Sequence, residues 1–227
     1  MKKIKKSIGK FLREHMMGVY RIYEKMYWSS VEKRKKEGLH KLGYSYMKKI
    51  NEVLDKEGFK YFITYGTLLG IIREGQFMGH DNDIDMGIIY DEDFSWDRLE
   101  ETLRKIGMQK KHQFTLEGRI TEQTYICENL SVDFFMYEPF DTSHQISYVY
   151  FRQETGCYED ETFEVARHIT KKIEKIEKVK TPKGEFSIPE NSEEFLEEIY
   201  GSDWRIPQPN WKPERDVVEG KCGYFEN

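Results

Sequence analysis

Asn82-Asp83-Ile84-Asp85-Met86-Gly87-Ile88-Ile89-Tyr90 alternates acidic and apolar residues before ending in a short apolar run. That pattern predicts a strand over 82–90. Side chains alternate between the faces of a strand, so Asp83 and Asp85 project together while Ile84, Met86 and Ile88 point the other way. If the extended backbone begins one residue earlier, Asp81 joins the acids and Asn82 falls on the opposite face. Carboxylates at this spacing repel one another, and the repulsion raises a pKa unless a cation lies between them. Hard divalent ions that prefer oxygen, Mg²⁺ or Mn²⁺, are the expected cofactors. A lone Asp-x-Asp is usually a solvated strand end. Here the apolar half of the alternation buries the strand and gives the acids a fixed position.

The segments on either side add to this reading. Lys60 to Tyr65 reads as a buried strand that stops at Gly66-Thr67, and Leu68 to Glu74 reads as a short helix carrying Leu68, Leu69, Ile71 and Ile72. Free N–H groups where a helix begins bind anions, and glycine admits a phosphate close to the main chain, so Gly66 and Thr67 are candidate phosphate contacts. Arg73 lies at the far end of that helix, either reaching the same phosphates or complementing the helix terminus. Downstream, Leu130-Ser131-Val132-Asp133-Phe134-Phe135 sets one acid among apolar neighbours on a predicted strand. Such an acid is costly to bury unless it is paired or metal-bound, which makes Asp133 a candidate third ligand and base.

The rest of the chain supplies further elements. A helix is expected from about Trp96 to Ile106, with Ser95 as N-cap and Gly107 closing it. Residues from His112 to Tyr137 look β-rich, with a turn at Gly118, and Gln145 to Arg152 suits another strand. Thr162 to Lys180 reads both ways: Ile169, Ile173, Ile176 and Val179 suit a helix, whereas Thr181-Pro182-Lys183-Gly184 suits a hairpin turn. Ser192 to Tyr200 reads as a helix stopped by Gly201, and Pro207, Pro209 and Pro213 suggest an extended tail. Near the start, Ile4, Ile8, Phe11, Leu12, Met16, Val19, Ile22, Tyr23 and Met26 recur at helical steps among basic residues. They predict an amphipathic helix, docked either on an anionic membrane through residues 1–30 or on the protein's own core. A second helix follows, carrying Leu39, Leu42, Met47, Ile50, Val53 and Leu54 and ending at Gly58. The expected organisation is a basic helical arm over residues 1–36 and one catalytic domain over 37–227.

Charge follows the same division. Residues 1–36 hold twelve Lys or Arg against three Glu, a local net of +9, so the remainder carries −14 within a total of −5. An acidic body argues against a nucleic-acid partner, which would call for a basic binding face. Cys127, Cys157 and Cys222 are odd in number and show no Cys-x-x-Cys spacing, so neither a disulfide framework nor a zinc site is expected. The longest apolar-looking run is too short to span a bilayer, and no export signal is evident, so the expected location is cytoplasmic, with peripheral membrane attachment through the basic arm.

Tyr65-Gly66-Thr67-Leu68-Leu69-Gly70, through Arg73, to His80-Asp81-Asn82-Asp83-Ile84-Asp85 resembles the signature of LicD-type phosphotransferases, the group that includes fukutin and fukutin-related protein. Val132-Asp133-Phe134-Phe135 resembles the family's later Asp strand. Ile188-Pro189 and Tyr200-Gly201-Ser202-Asp203-Trp204 resemble its C-terminal end, so the likeness runs from about Leu39 to Pro207. Gln76-Phe77 and Gly79-His80 depart from the family's usual pairs, and Asn82 replaces one acid of its run. These departures bear on head-group selectivity. The resemblance implies an α+β, nucleotidyltransferase-like mixed sheet flanked by helices. It also implies metal held by Asp83, Asp85 and Asp133, with Gly66, Thr67, Arg73, His80 and Asp81 on the substrate. The implied reaction moves a phosphocholine or phospho-polyol group from a CDP-linked donor to a glycan or lipid-linked glycan hydroxyl. A nucleotidyltransferase using a nucleoside triphosphate would share these residues. A non-catalytic membrane-associated binding protein would not need them.

Overall fold

The computed structural model describes residues 15–152, 163–208, 211 and 215–226. Ile4, Ile8, Phe11, Leu12, Cys157, Pro209 and Pro213 lie outside these residues. Among the described residues the chain is α+β, with four helices: α1 (Met17–Glu57), α2 (Tyr65–Glu74), α3 (Trp96–Arg104) and α4 (Ser192–Tyr200). The strands are β1 (Tyr61–Ile63), β2 (Ile84–Ile89), β3 (Gln109–Leu116), β4 (Arg119–Cys127), β5 (Leu130–Pro139), β6 (His144–Arg152), β7 (Phe163–Lys171), β8 (Ile176–Thr181), β9 (Gly184–Pro189), β10 (Asp216–Val218) and β11 (Cys222–Glu226).

Nine strands form one curled, largely antiparallel sheet in the order β10-β7-β6-β5-β4-β3-β11, with β2 branching from β5 and β1 from β2. The strand β5 is the pivot. Its first part lies between β4, antiparallel, and β2, parallel, and its end passes to β6 at Glu138 and Pro139. The β2–β5 pairing is parallel because α3 and the β3–β4 hairpin cross between the two strands. A separate hairpin, β8–β9, turns at Thr181–Gly184.

The core forms where the alternation predicted it. Ile84, Met86 and Ile88 are fully buried, together with Val132 and Phe134 of β5, Leu39, Ile50 and Leu54 of α1, and Leu99 and Leu103 of α3. Gly87 lies on the face of Asp85, where the Phe62 ring approaches within 2.4 Å of where a Cβ would sit. No larger residue fits there. The Phe62 ring closes that end of the strand face with Tyr137 and Phe195, which confines the acids to the N-terminal end of β2.

Several elements differ from the sequence expectation. The two helices expected before Gly58 are one helix of 41 residues, ended by Gly58 at φ 74°, whose N–H bonds the Leu54 and Asp55 carbonyls. Its inward face is Tyr20, Tyr27, Val31, Lys35, Gly38, Leu39 and Leu42, while Val19, Ile22 and Met26 are exposed on the other side. Among the described residues this part of the apolar stripe faces away from the protein, with Tyr23 half-buried, because the helix turns another set of residues inward. Helix α2 begins at Tyr65, so Gly66 and Thr67 form its first turn. Asp83 precedes β2 by one residue, in a bend. Thr162 to Lys180 contains two strands, β7 and β8. Nine-residue pairing of β7 with β6 outweighs the helical spacing of its isoleucines. The tail adds β10 to β7 and β11 to β3. The expectations at Ser95 and Ser192–Tyr200 hold: Ser95 Oγ accepts the Arg98 N–H at 3.4 Å, and α4 runs from Ser192 to Tyr200, where Gly201 caps it.

Candidate active site

The start of α2 sets the geometry. Tyr65 carries a φ of 42°, a left-handed angle that a tyrosine adopts only when its surroundings fix it. Its ring packs edge-on against Phe135, and its hydroxyl meets Ser147 Oγ at 2.9 Å and His168 Nδ1 at 3.2 Å. The sharp turn directs the first turn of α2 at β2. There the Thr67 N–H donates to Asp85 Oδ2 at 3.3 Å, and the Asp85 N–H donates to Thr67 Oγ1 at 2.8 Å. Gly66 lies in the gap between acids: a Cβ there would stand 3.4 Å from Asp85 Oδ2 and 3.6 Å from Asp81 Oδ1. Asp81 is held separately, its Oδ2 accepting the Met78 N–H at 3.1 Å.

Register brings the later acid in. Asp85 pairs with Asp133 across the parallel β2–β5 ladder, and Asp133 pairs with Thr124 of β4, which in turn pairs with His112 of β3. Paired residues share a face, so one row crosses four strands as Asp85, Asp133, Thr124 and His112. Thr124 Oγ1 and His112 Nε2 are 2.8 Å apart. Asp133 Oδ1 is buried without a hydrogen-bond partner. Asp83, one bend before the strand, is bound from outside the sheet: Lys35 Nζ of α1 donates to its Oδ2 at 3.2 Å. The Asn82 amide, turned to donate, reaches the same oxygen at 2.8 Å. An aspartate at 82 would face Asp83 with a like charge, so the departure at this position supplies a donor.

Electrostatics mark these groups as one cluster. Burial first, then the Asp83, Asp133 and Asp81 carboxylates, hold Asp85 well above the usual carboxylate range. Burial and Asp133 raise Asp83 while Lys35 pulls it down. Burial opposes the charge on Lys35, yet Asp83 and Asp133 raise it above the ordinary lysine value. Glu122 of β4, also buried, is lifted well above its usual range by burial and then by Asp133, Asp85 and Asp83. A buried acid beside other carboxylates favours its neutral form, which is the direction of the shift at Glu122. Tyr200 of α4 is raised by burial and then by Asp85 and Asp81, with Arg73 opposing.

Asp83, Asp85, Asp133, Asp81, Gly66 and Thr67 thus come together. Arg73 turns its Nη2 to Glu74 Oε1 at 2.9 Å and Met78 Sδ at 3.0 Å, and its buried Nε has no partner. His80 is exposed at the rim, 3.8 Å from Asp81. Sequence reasoning missed Lys35 and Glu122. Lys35 follows Tyr27 and Val31 and precedes Leu39 at steps of four, a signal that could have found it. Glu122 sits in Thr121-Glu122-Gln123-Thr124, which carries no such signal.

A family profile described as "LicD/FKTN/FKRP, nucleotidyltransferase domain" matches residues 58–187, more than half of the chain and all of the acidic cluster. The chain belongs to the LicD family. Two relatives in Rickettsia are similar over shorter stretches. An uncharacterized protein of Rickettsia typhi is 33% identical over 69 residues, 30% of this chain and 22% of the relative. An uncharacterized protein of Rickettsia prowazekii is 29% identical over 94 residues, 41% of this chain and 32% of the relative. The matches thus span a third or less of those relatives' length. Among the described residues of this LicD-family chain, no helix is long and apolar enough to cross a membrane.

Proposed function

We propose that this LicD-family protein is a metal-dependent phosphotransferase that moves a phosphocholine or phospho-polyol group from a CDP-linked donor to a glycan hydroxyl. The observation that carries the reading is the register that pairs Asp85 with Asp133, with Asp83 alongside and the Gly66–Thr67 turn against them. The donor set suits a hard divalent cation, since it offers only oxygen and includes the buried, unpartnered Oδ1 of Asp133. Among the described residues no group of three or more His, Cys, Asp or Glu side chains is arranged to hold a metal ion by itself. Mg²⁺ does not need one, because it binds through one or two carboxylates and shares its remaining positions with water and substrate phosphates. Asp83 and Asp85 would hold the ion, with Asp133 completing the site. When bound, the ion neutralises the donor's diphosphate and the charge that develops on the leaving group.

The chain's own groups do the rest. Glycine at 66 keeps the main chain bare beside Asp85 and Asp81, and Arg73 would contribute positive charge to the donor's phosphates. Asp133 takes the proton of the glycan hydroxyl. That oxygen forms a bond to the phosphorus bearing the head group, the bond from this phosphorus to the bridging oxygen breaks, and CMP leaves with the electron pair. The glycan keeps a phosphodiester. The exposed stripe of Val19, Ile22 and Met26, flanked by Arg21 and Lys25, supports peripheral attachment to an anionic membrane at which a lipid-linked acceptor is met.

The test is incubation with Mg²⁺ or Mn²⁺, a glycan acceptor, and CDP-choline or CDP-polyols. CMP release that stops on adding EDTA is expected, and Asp83→Asn and Asp85→Asn should each abolish it while melting no lower than the wild type. The profile's description as a nucleotidyltransferase domain favours one rival. Pyrophosphate released from a nucleoside triphosphate, with no CDP-linked donor consumed, would establish that rival instead.

A further inference from the structure

Lys35 lies outside the stretch that matches the family profile, yet it enters the acidic cluster. Lys33, Arg34 and Lys36 beside it are exposed, so of four consecutive basic residues only Lys35 turns inward. The cause is three residues further along. Gly38 is buried so closely on the turn between β4 and β5 that a Cβ would stand 2.4 Å from the Asn129 carbonyl oxygen. Residues three apart share a helix face, so the contact that seats α1 also aims Lys35 at Asp83. A lysine on an inward face is costly unless paired, and its partner here is an acid of the reaction centre.

Resting on the metal-dependent reading above, we infer that Lys35 is a substrate-contacting residue that pairs with Asp83 when no metal ion is bound and moves to the donor's diphosphate when a metal ion takes Asp83. The ammonium and a divalent ion cannot both sit against the same carboxylate without repelling each other. A phosphate sharing that ion would lie close to Asp83, within reach of the four-carbon stem of lysine. Lys35 therefore opposes metal binding by the protein alone and favours donor binding once metal is bound. A lysine serving only to pack α1 would do neither.

The experiment titrates the full-length chain with Mn²⁺ alone, then with CDP at saturating Mn²⁺, for wild type, Lys35→Met and Lys35→Arg. Lys35→Met keeps much of the aliphatic stem, and a melting curve checks that it folds. It should bind Mn²⁺ on the order of ten-fold more tightly than wild type, the loss of one largely buried competing charge. It should also bind CDP about ten-fold more weakly, and Lys35→Arg should recover most of that loss. Unchanged or weaker Mn²⁺ binding by Lys35→Met, or unchanged CDP binding, overturns the inference and leaves the metal reading standing. If Lys35→Met does not fold, Lys35→Arg decides the matter alone: its CDP affinity must stay within a few-fold of wild type. Failure of the wild type to bind Mn²⁺ removes the metal reading, and the inference with it.

Discussion

Replacing Thr67 by valine tests the joint that fixes Asp85. The two side chains are nearly isosteric, and Thr67 is buried, so the change removes one hydroxyl and little volume. That hydroxyl accepts the Asp85 N–H at 2.8 Å. In the variant, a buried donor on β2 has no acceptor. An unsatisfied buried polar group costs about 1–3 kcal/mol, and valine's better match to its apolar surroundings offsets part of it. A net loss of about 1–2 kcal/mol lowers Tm by roughly 2–8 °C in a domain of this size. The assay is a calorimetric melt of wild type, Thr67→Val and Thr67→Ser in EDTA, which takes metal out of the comparison. Thr67→Ser keeps the acceptor and should stay within about 1 kcal/mol of wild type. A valine variant as stable as wild type would refute the reasoning, as would a serine variant that loses as much as valine.

Burial, with Lys111 and Lys35 nearby, lowers His112 to about 4 from an ordinary 6.5. A histidine depressed in the fold contributes stability that is complete above pH 6.5 and is lost as pH falls toward about 4. His112→Asn should therefore flatten the dependence of Tm on pH within that window, and an unchanged slope would exclude His112 as its source. On α1, Ile22→Glu with Met26→Glu alters side chains that are 63% and 68% exposed, so the melt should move by less than about 1 kcal/mol. Sedimentation with phosphatidylserine vesicles should fall several-fold, and equal sedimentation of variant and wild type would end the membrane assignment.

The sequence made the local patterns legible and left the distant neighbours hidden. Alternation from Asn82 to Tyr90 located both the buried and the acidic face of β2, because period two follows from the backbone alone. The cap at Ser95 and the glycine stops at Gly58 and Gly201 were readable for the same reason. The Asp85–Asp133 pairing was anticipated only as a shared site, since register depends on the intervening hairpin. Lys35 was obscured by three basic neighbours of the same chemistry, and only the contact at Gly38 selects it. Glu122 reads as a polar residue on a half-solvated strand until the curl of the sheet covers it. The strain at Tyr65 depends on Phe135, Ser147 and His168, none of them near it in sequence, so residue type alone gave no sign of it.

The strand β5 is flanked on both sides by partners, β2 and β4, so it completes the sheet from within instead of adding to an edge. While a chain is being made, Asp83 and Asp85 emerge long before residue 133, and until β5 is seated they have nothing to act with. A chain ending before β5 lacks the Asp85–Asp133 pair, so on the proposed reading it should release no CMP from a CDP-linked donor.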